Sequence, residues 1–74
     1  MRRRLFLQLG DIVIHQSHRA WGTGRVVEVK TSTLDDGPAF VRIVFQDGRE
    51  RTFFNDLGQE NCCYYLGVRF HERR

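Results

Sequence analysis

Metal ligation is the first chemistry that the residue types of this sequence suggest. Two histidines and two cysteines, His15, His18, Cys62 and Cys63, carry side chains of the kind that bind structural zinc. Such sites usually separate their paired ligands, as in Cys-x₂-Cys, and adjacent cysteines make poor tetrahedral geometry. We therefore interpret the cysteines as partly buried small apolar residues and His15 as a strand-end residue, and we expect neither a metal nor another cofactor.

Paired carboxylates are the second candidate for chemistry. Asp35 and Asp36 are adjacent, but Gly37 and Pro38 follow them, and Asp is expected in such a turn because its side chain bonds to nearby backbone. The sequence also shows no Ser/His/Asp or Cys/His set with a third, orienting group. We expect that the protein is not an enzyme.

Binding is better supported than catalysis, and we expect it around Trp21. Gly22 and Gly24 flank Thr23, so the backbone can turn sharply there and hold the loop of residues 16–23 in a fixed shape. Trp and Arg are over-represented among the residues that dominate binding energies. The residues expected to contact a partner belong to this loop or are arginines of the neighbouring strands: His18, Arg19, Trp21, Arg25, Arg42 and Arg51.

Two interpretations of Trp21 stay open at this point. Its indole is either an exposed anchor for a partner or a plug packed over one end of the β-body, since a Trp can use different edges for each role. Five other aromatics also allow an aromatic cage for methylated amines: Phe40, Phe53, Phe54, Tyr64 and Tyr65. A core this small needs aromatic side chains in any case, so the cage is the weaker interpretation.

The positive charge of the chain is concentrated at its ends. The net charge is +3, with arginines at positions 2–4 and 73–74, whereas residues 5–70 hold seven basic and eight acidic side chains. The body therefore lacks the single-sign surface of a dedicated duplex-DNA binder. The alternative function is binding of single-stranded or structured DNA or RNA by a small barrel, which stacks bases on exposed aromatics while the basic tails add affinity. Self-association through an open strand edge is a third.

The length of 74 residues predicts one domain, residues 1–74, with its core at about residues 8–70. A domain this small buries only about 60 % of its unfolded surface, so a working site is expected on the outside. The sequence contains no long apolar run, so we expect neither a membrane helix nor a signal peptide. Adjacent cysteines exclude a disulfide framework, which favours a cytoplasmic protein.

The elements that position these residues are predicted to be five short β-strands. We place them at residues 11–15, 24–33, 39–45, 50–54 and 64–70, with Gly67 as a bulge or bend in the last, and residues 5–7 as a further edge strand or as a cover for one end. Alternation predicts that Val41, Ile43 and Phe45 face the core, as do Val27 and Val29. Five such strands fit an all-β, strongly bent small barrel.

Asp47-Gly48 is the strongest hairpin signal, and two registers remain open. A two-residue loop would pair Phe45 with Glu50. A three-residue loop with a glycine bulge would instead place Arg49, Arg51 and Phe53 on the Phe45 face. The choice decides whether Arg51 or Thr52 points outward.

Three short motifs carry a family resemblance: Gly10-Asp11-x-Val13-x-His15, Trp21-Gly22-x-Gly24-x-Val26 and Val41-x-Ile43-x-Phe45. Together they resemble the small Tudor-like barrels of bacterial transcription and repair proteins. These include a stand-alone domain of unknown function with a Trp-Gly-x-Gly core, and the similar C-terminal domain of UvrD/PcrA helicases and polymerase-interacting domains of CarD and Mfd. The match covers roughly residues 10–57; segment 19–21 and the chain after Leu57 depart from it.

The resemblance implies a five-stranded, Src-homology-three-like barrel. It also implies docking to a protein, often the RNA polymerase β subunit or a helicase or repair protein, rather than catalysis.

Overall fold

The computed structural model describes residues 4–33 and 37–71 as a small all-β domain. Its strands are β1 (Ile12–His15), β2 (Gly24–Thr31), β3 (Ala39–Phe45), β4 (Glu50–Phe54) and β5 (Val68–Phe70). They form one antiparallel sheet in the order β4-β3-β2-β1-β5. The expectation of a small all-β domain is confirmed. The Asp35-Asp36 turn and the tail arginines 2, 3, 73 and 74 lie outside the described residues.

The sheet is strongly curled. β1 and β4 are three strands apart in the order, which in a flat sheet is about 14 Å. Nevertheless the rings of His15 on β1 and Phe53 on β4 have centroids only 6.2 Å apart, across the concave face. Among the described residues β4 and β5 are the two edges and do not pair with each other, so the hydrogen-bonded ladder is open.

Strand β3 supplies the centre of the core. Its side chains alternate between fully and partly buried, and Val41, Ile43 and Phe45 are all at most 2 % exposed. This confirms the predicted inward face, because β-branched and aromatic residues at every second position bury one face of a strand.

Of the two β2 valines predicted to face the core, Val27 and Val29, only Val29 does so. Val26 pairs with Ile43 and Glu28 with Arg42, so Val27 is an extra residue in a β-bulge. The bulge exchanges the two faces of the strand, so that Val26 is buried, Val27 is 37 % exposed and Val29 packs against the core. The strand also ends at Thr31, two residues earlier than predicted.

The β3–β4 hairpin has the three-residue loop. The amide of Phe45 donates to the carbonyl of Arg49, and the amide of Gly48 donates back to Phe45. Gly48 has φ of +86°, the left-handed conformation that this loop requires. Arg51 consequently pairs with Ile43 and lies on the core side of the sheet, while Thr52 points outward.

The predicted fifth strand is wrong over its first half. Residues Cys63–Leu66 form a single helical turn, α1, and the strand begins only at Val68. Gly67 is not a bulge: with φ of +120° it ends the helix, and its amide donates to the carbonyls of Cys63 and Tyr64. A four-residue helix is too short to produce a recognisable periodicity.

The N-terminal segment belongs to the packed body. Leu7 is fully buried in the core, and Leu5 makes an isolated antiparallel bridge with Asp56. The buried Asn55 side chain fixes this segment, since its carbonyl accepts the Leu7 amide and its amide donates to the Leu7 carbonyl. The core therefore starts before residue 8.

Over residues 4–33 and 37–71, no helix has the length and apolar character needed to cross a bilayer.

Candidate interaction site

The loop of residues 16–23 is held in one shape by its backbone. Arg19–Trp21 forms a short 3₁₀ helix, η1, whose turns are closed by the amides of Trp21 and Gly22. At the loop's start, Gln16 donates its amide to the carbonyl of Gly67. At its end, the amide of Thr23 donates to the side chain of Gln46 at 2.9 Å. Contacts with both α1–β5 and the hairpin therefore fix the loop.

The glycines of this loop are required by two different constraints. Gly22 has φ of +79°, which L side chains rarely adopt. Gly24 has ordinary φ, but a Cβ there would lie 2.6 Å from Ile43 and 2.8 Å from the Phe45 ring. The absence of a side chain at residue 24 lets β2 lie against β3 at this end of the sheet.

Trp21 is half-buried, between the exposed and the fully packed positions that its sequence context left open. It is partly buried and packs against the core, with its ring 5.2 Å from that of Phe45. The imidazole of His18 stacks on the indole at 4.2 Å with the rings nearly parallel. The guanidinium carbon of Arg51 lies 3.6 Å from the ring centroid, a cation–π contact. Trp21 therefore closes one end of the sheet while keeping part of its surface in solvent.

Arg51 is held by Asp47 as well as by Trp21. Two hydrogen bonds, of 2.9 and 3.3 Å, run from its guanidinium to the two carboxylate oxygens of Asp47. These bonds, with one from the Arg49 amide, lower the pKa of Asp47. Arg51 thus orients the indole, and its charge is largely neutralised within the protein.

His15 packs against the rings of His18 and Trp21 and is only 4 % exposed. Its Nδ1 accepts the backbone amide of Ser17 at 3.2 Å, which requires the unprotonated nitrogen. Burial lowers the pKa of His15, and the nearby His18 and Arg51 lower it further. His15 is therefore a neutral, structural member of the cluster.

Two of the arginines expected at the site lie elsewhere. Arg25 pairs with Val44 and Arg42 with Glu28, which places both arginine side chains on the outer face of the sheet. Arg42 donates to Glu28 and to Glu50, and these bonds raise its pKa. It is therefore already paired with two carboxylates.

The structure brings together His18, Arg19, Trp21 and Arg51 at one end of the sheet. His18 and Arg19 are exposed, and Arg19 makes no ion pair with any described residue. Sequence reasoning missed His15 and Asp47 as members of this cluster. Asp47 stands four residues before Arg51, and the three-residue hairpin loop, had it been known, would have put the two side by side.

The two cysteines and the two histidines are not grouped as a metal site would require. Cys62 and Cys63 are free thiols, both 0 % exposed, so they are buried more fully than expected. The pKa of Cys63 is raised to about 12, mainly by burial and to a smaller extent by the neighbouring Cys62. The Cys63 thiol is therefore unreactive. Within the described parts of the chain, no three His, Cys, Asp or Glu side chains are grouped closely enough to hold a metal ion.

Comparisons of the chain with protein-family models, with curated protein sequences and with solved structures found no match.

Proposed function

We propose that this chain is a non-catalytic module of the bacterial transcription or repair machinery, acting in the cytoplasm. In this proposal it docks on a protein such as RNA polymerase or a repair helicase. The exposed part of η1, with His18, Arg19 and the accessible part of Trp21, is the docking surface.

One observation supports the proposal most directly. The hydrogen bonds that fix the shape of the 16–23 loop are made by its backbone, so its exposed side chains are free to contact a partner. Its amides bond to the hairpin and to the α1–β5 connection. A partner therefore meets Arg19 and Trp21 on a backbone that loses little conformational entropy on binding. Such preorganisation, with Trp and Arg at the centre, is typical of interface hot spots.

We also propose that the curled sheet is a Tudor-like small barrel. The short distance between β1 and β4 side chains supports this, as do the bridges from Leu5 to Asp56 and from Phe54 to Cys62. The motifs of residues 10–57 suggest the partner class, since they resemble domains that dock on RNA polymerase or belong to helicases.

The test is binding of the purified chain to purified bacterial RNA polymerase and to a UvrD-type helicase. Arg19→Glu reverses an exposed charge without touching the core, so we expect it to weaken binding at least tenfold, as for a hot-spot residue. Lys30→Glu makes the same charge change at an exposed position toward the far end of β2 and should bind like the unmodified chain. Equal weakening by both variants, or none by Arg19→Glu, would reject the loop as the docking surface.

A further inference from the structure

A second exposed surface lies on α1 and β5, whose connection bonds to the start of the 16–23 loop. It consists of Tyr64, Tyr65, Leu66 and Phe70, here called the tyrosine patch, which are 37 %, 54 %, 51 % and 55 % exposed. The rings of Tyr64 and Tyr65 are 5.2 Å apart, and Phe6 lies 5.2 Å from both Tyr64 and Phe70. A contiguous apolar surface of this kind usually marks a contact site.

The rings of the tyrosine patch are held by neighbouring structure. α1 follows the buried Cys62 and begins with the buried Cys63, and Gly67 ends it. The hydroxyl of Tyr65 donates to the carbonyl of Leu57 at 2.7 Å. The aromatic faces are therefore presented by a fixed backbone.

The Arg69 side chain borders the patch on one side, and the backbone of Arg4 lies near the other. The Arg69 guanidinium lies 4.1 Å from the centre of the Tyr64 ring and, among the described residues, donates to the backbone carbonyls of Tyr64 and Val68. On the other side, the carbonyl of Arg4 accepts the amide of Leu57, whose own carbonyl accepts the Tyr65 hydroxyl. Neither arginine forms an ion pair with a described carboxylate, and the Asp56 carboxylate bonds to the backbone amides of Arg4 and Gly58.

The sequence holds four more arginines outside the described residues. Arg2 and Arg3 precede Arg4, and Arg73 and Arg74 lie within three residues of His71, the last described residue. Phe6 contacts Phe70, so the described N-terminal segment and β5 lie side by side.

The size and composition of this surface select its occupant. The exposed parts of the three rings amount to roughly 300 Å², taking about 200 Å² for a whole aromatic side chain. That is well under the ~800 Å² per partner of a stable dimer interface. The only helices in the described residues are one turn long, so no recognition helix is present to enter a duplex groove. Aromatic faces beside arginines are what a single strand of nucleic acid requires.

We propose that the tyrosine patch binds single-stranded nucleic acid without sequence preference. Bases stack on Tyr65 and Phe70, and the phosphates lie beside Arg4 and Arg69. This goes beyond the proposed docking function, since it uses a different surface and a different class of partner.

The experiment measures the anisotropy of a fluorescein-labelled oligothymidine of about 15 nucleotides titrated with the full chain. We expect binding at about 50 mM salt that weakens steeply by about 200 mM, because arginines release counterions from the phosphates. Tyr65→Ala and Phe70→Ala should each weaken binding by about tenfold, the loss expected from removing one stacked base. Tyr65→Phe keeps the ring but loses the hydroxyl bond to Leu57, so it should weaken binding less than Tyr65→Ala does.

Two control variants separate stacking at the patch from other effects. Phe54→Ala removes an aromatic ring that is 38 % exposed on the edge strand β4 and should leave binding unchanged. Arg69→Gln should weaken binding more than Arg25→Gln, which removes an exposed arginine from the outer face. Circular dichroism establishes that each variant is folded.

Three results would overturn this proposal: no binding of the oligothymidine at low salt, tighter binding of a duplex of the same length, or full affinity in folded Tyr65→Ala and Phe70→Ala. Full affinity in the two folded alanine variants would assign binding to the chain termini. No binding at low salt is the result expected if the patch binds only protein. None of these results bears on docking to RNA polymerase through Arg19, because no protein partner is present.

Discussion

At the scale of single residues, the polar groups inside this domain each have a defined partner. Asn55 bonds to both backbone groups of Leu7, and His15 accepts the amide of Ser17. No buried side-chain polar atom of the described residues lacks a hydrogen bond. An unsatisfied buried polar group costs about 1–3 kcal/mol, so these pairings matter in a domain of marginal stability.

The buried His15 predicts a specific pH dependence of stability. Its pKa is lowered in the folded protein from the ordinary value of 6.5, so the unfolded chain binds the proton more readily. The stabilising contribution is therefore present above pH 6.5 and is lost as the pH falls through that value toward the folded pKa. We expect a lower urea midpoint near pH 5.5 than near pH 7.5, a range in which carboxyl groups stay ionised.

Two variants identify the group responsible. His15→Asn keeps an acceptor for the Ser17 amide but cannot titrate, so the difference between the two pH values should shrink. His71→Asn, at an exposed position, should retain it. A pH difference that persists undiminished in His15→Asn would show that another group causes it.

At the scale of elements, short irregular segments do much of the positioning. The N-terminal segment covers the core with Leu7 and contacts the chain after β4, α1 supplies two exposed tyrosines, and the 16–23 loop holds Trp21. None of these segments is a strand. Backbone hydrogen bonds tie the N-terminal segment to Val26 and the loop to His15, and α1 ends at Gly67, whose carbonyl accepts the amide of Gln16.

The N-terminal segment gives a matched pair of substitutions. Leu7 is fully buried and Leu9, two residues on, is 69 % exposed. Leu7→Ala should reduce the free energy of unfolding by about 2–5 kcal/mol, because it removes buried methyl groups and leaves a cavity. Leu9→Ala should change it by no more than about 0.5 kcal/mol. Urea unfolding of both variants compares them, and equal effects would mean that the segment is not part of the folded core.

At the scale of the whole molecule, the sheet curls so far that all its inward side chains share one core. Residues from β1, β2, β3, β5, the N-terminal segment and α1 meet there. Trp21, the only tryptophan, packs against the same core at one end. No part of the described sheet is therefore independent of the rest.

This shared core predicts a single cooperative unfolding transition. Trp21 fluorescence reports the end of the sheet, and far-ultraviolet circular dichroism reports the backbone as a whole. We expect the two urea transitions to coincide, as they do for two-state domains. A fluorescence transition at lower urea would show that the Trp21 loop opens separately from the sheet.

The sequence by itself determined the features that depend on local backbone preferences. The alternation of Val41, Ile43 and Phe45, the hairpin at Asp47-Gly48 and the turn at Gly22 follow from side-chain type and glycine freedom at consecutive positions. Each of these needs only the residues next to it in the chain. That is why a period of two and a glycine-containing turn were sufficient to predict them.

Only the tertiary structure decided what depends on register between distant segments. The bulge at Val27 determines which valines of β2 face inward. The three-residue hairpin loop places Arg51, and not Thr52, beside Trp21. The approach of Phe6 to Phe70 created the tyrosine patch. Register and curl minimise the energy of the whole core, and a one-residue shift, which no local pattern records, moves every side chain of a strand to its other face.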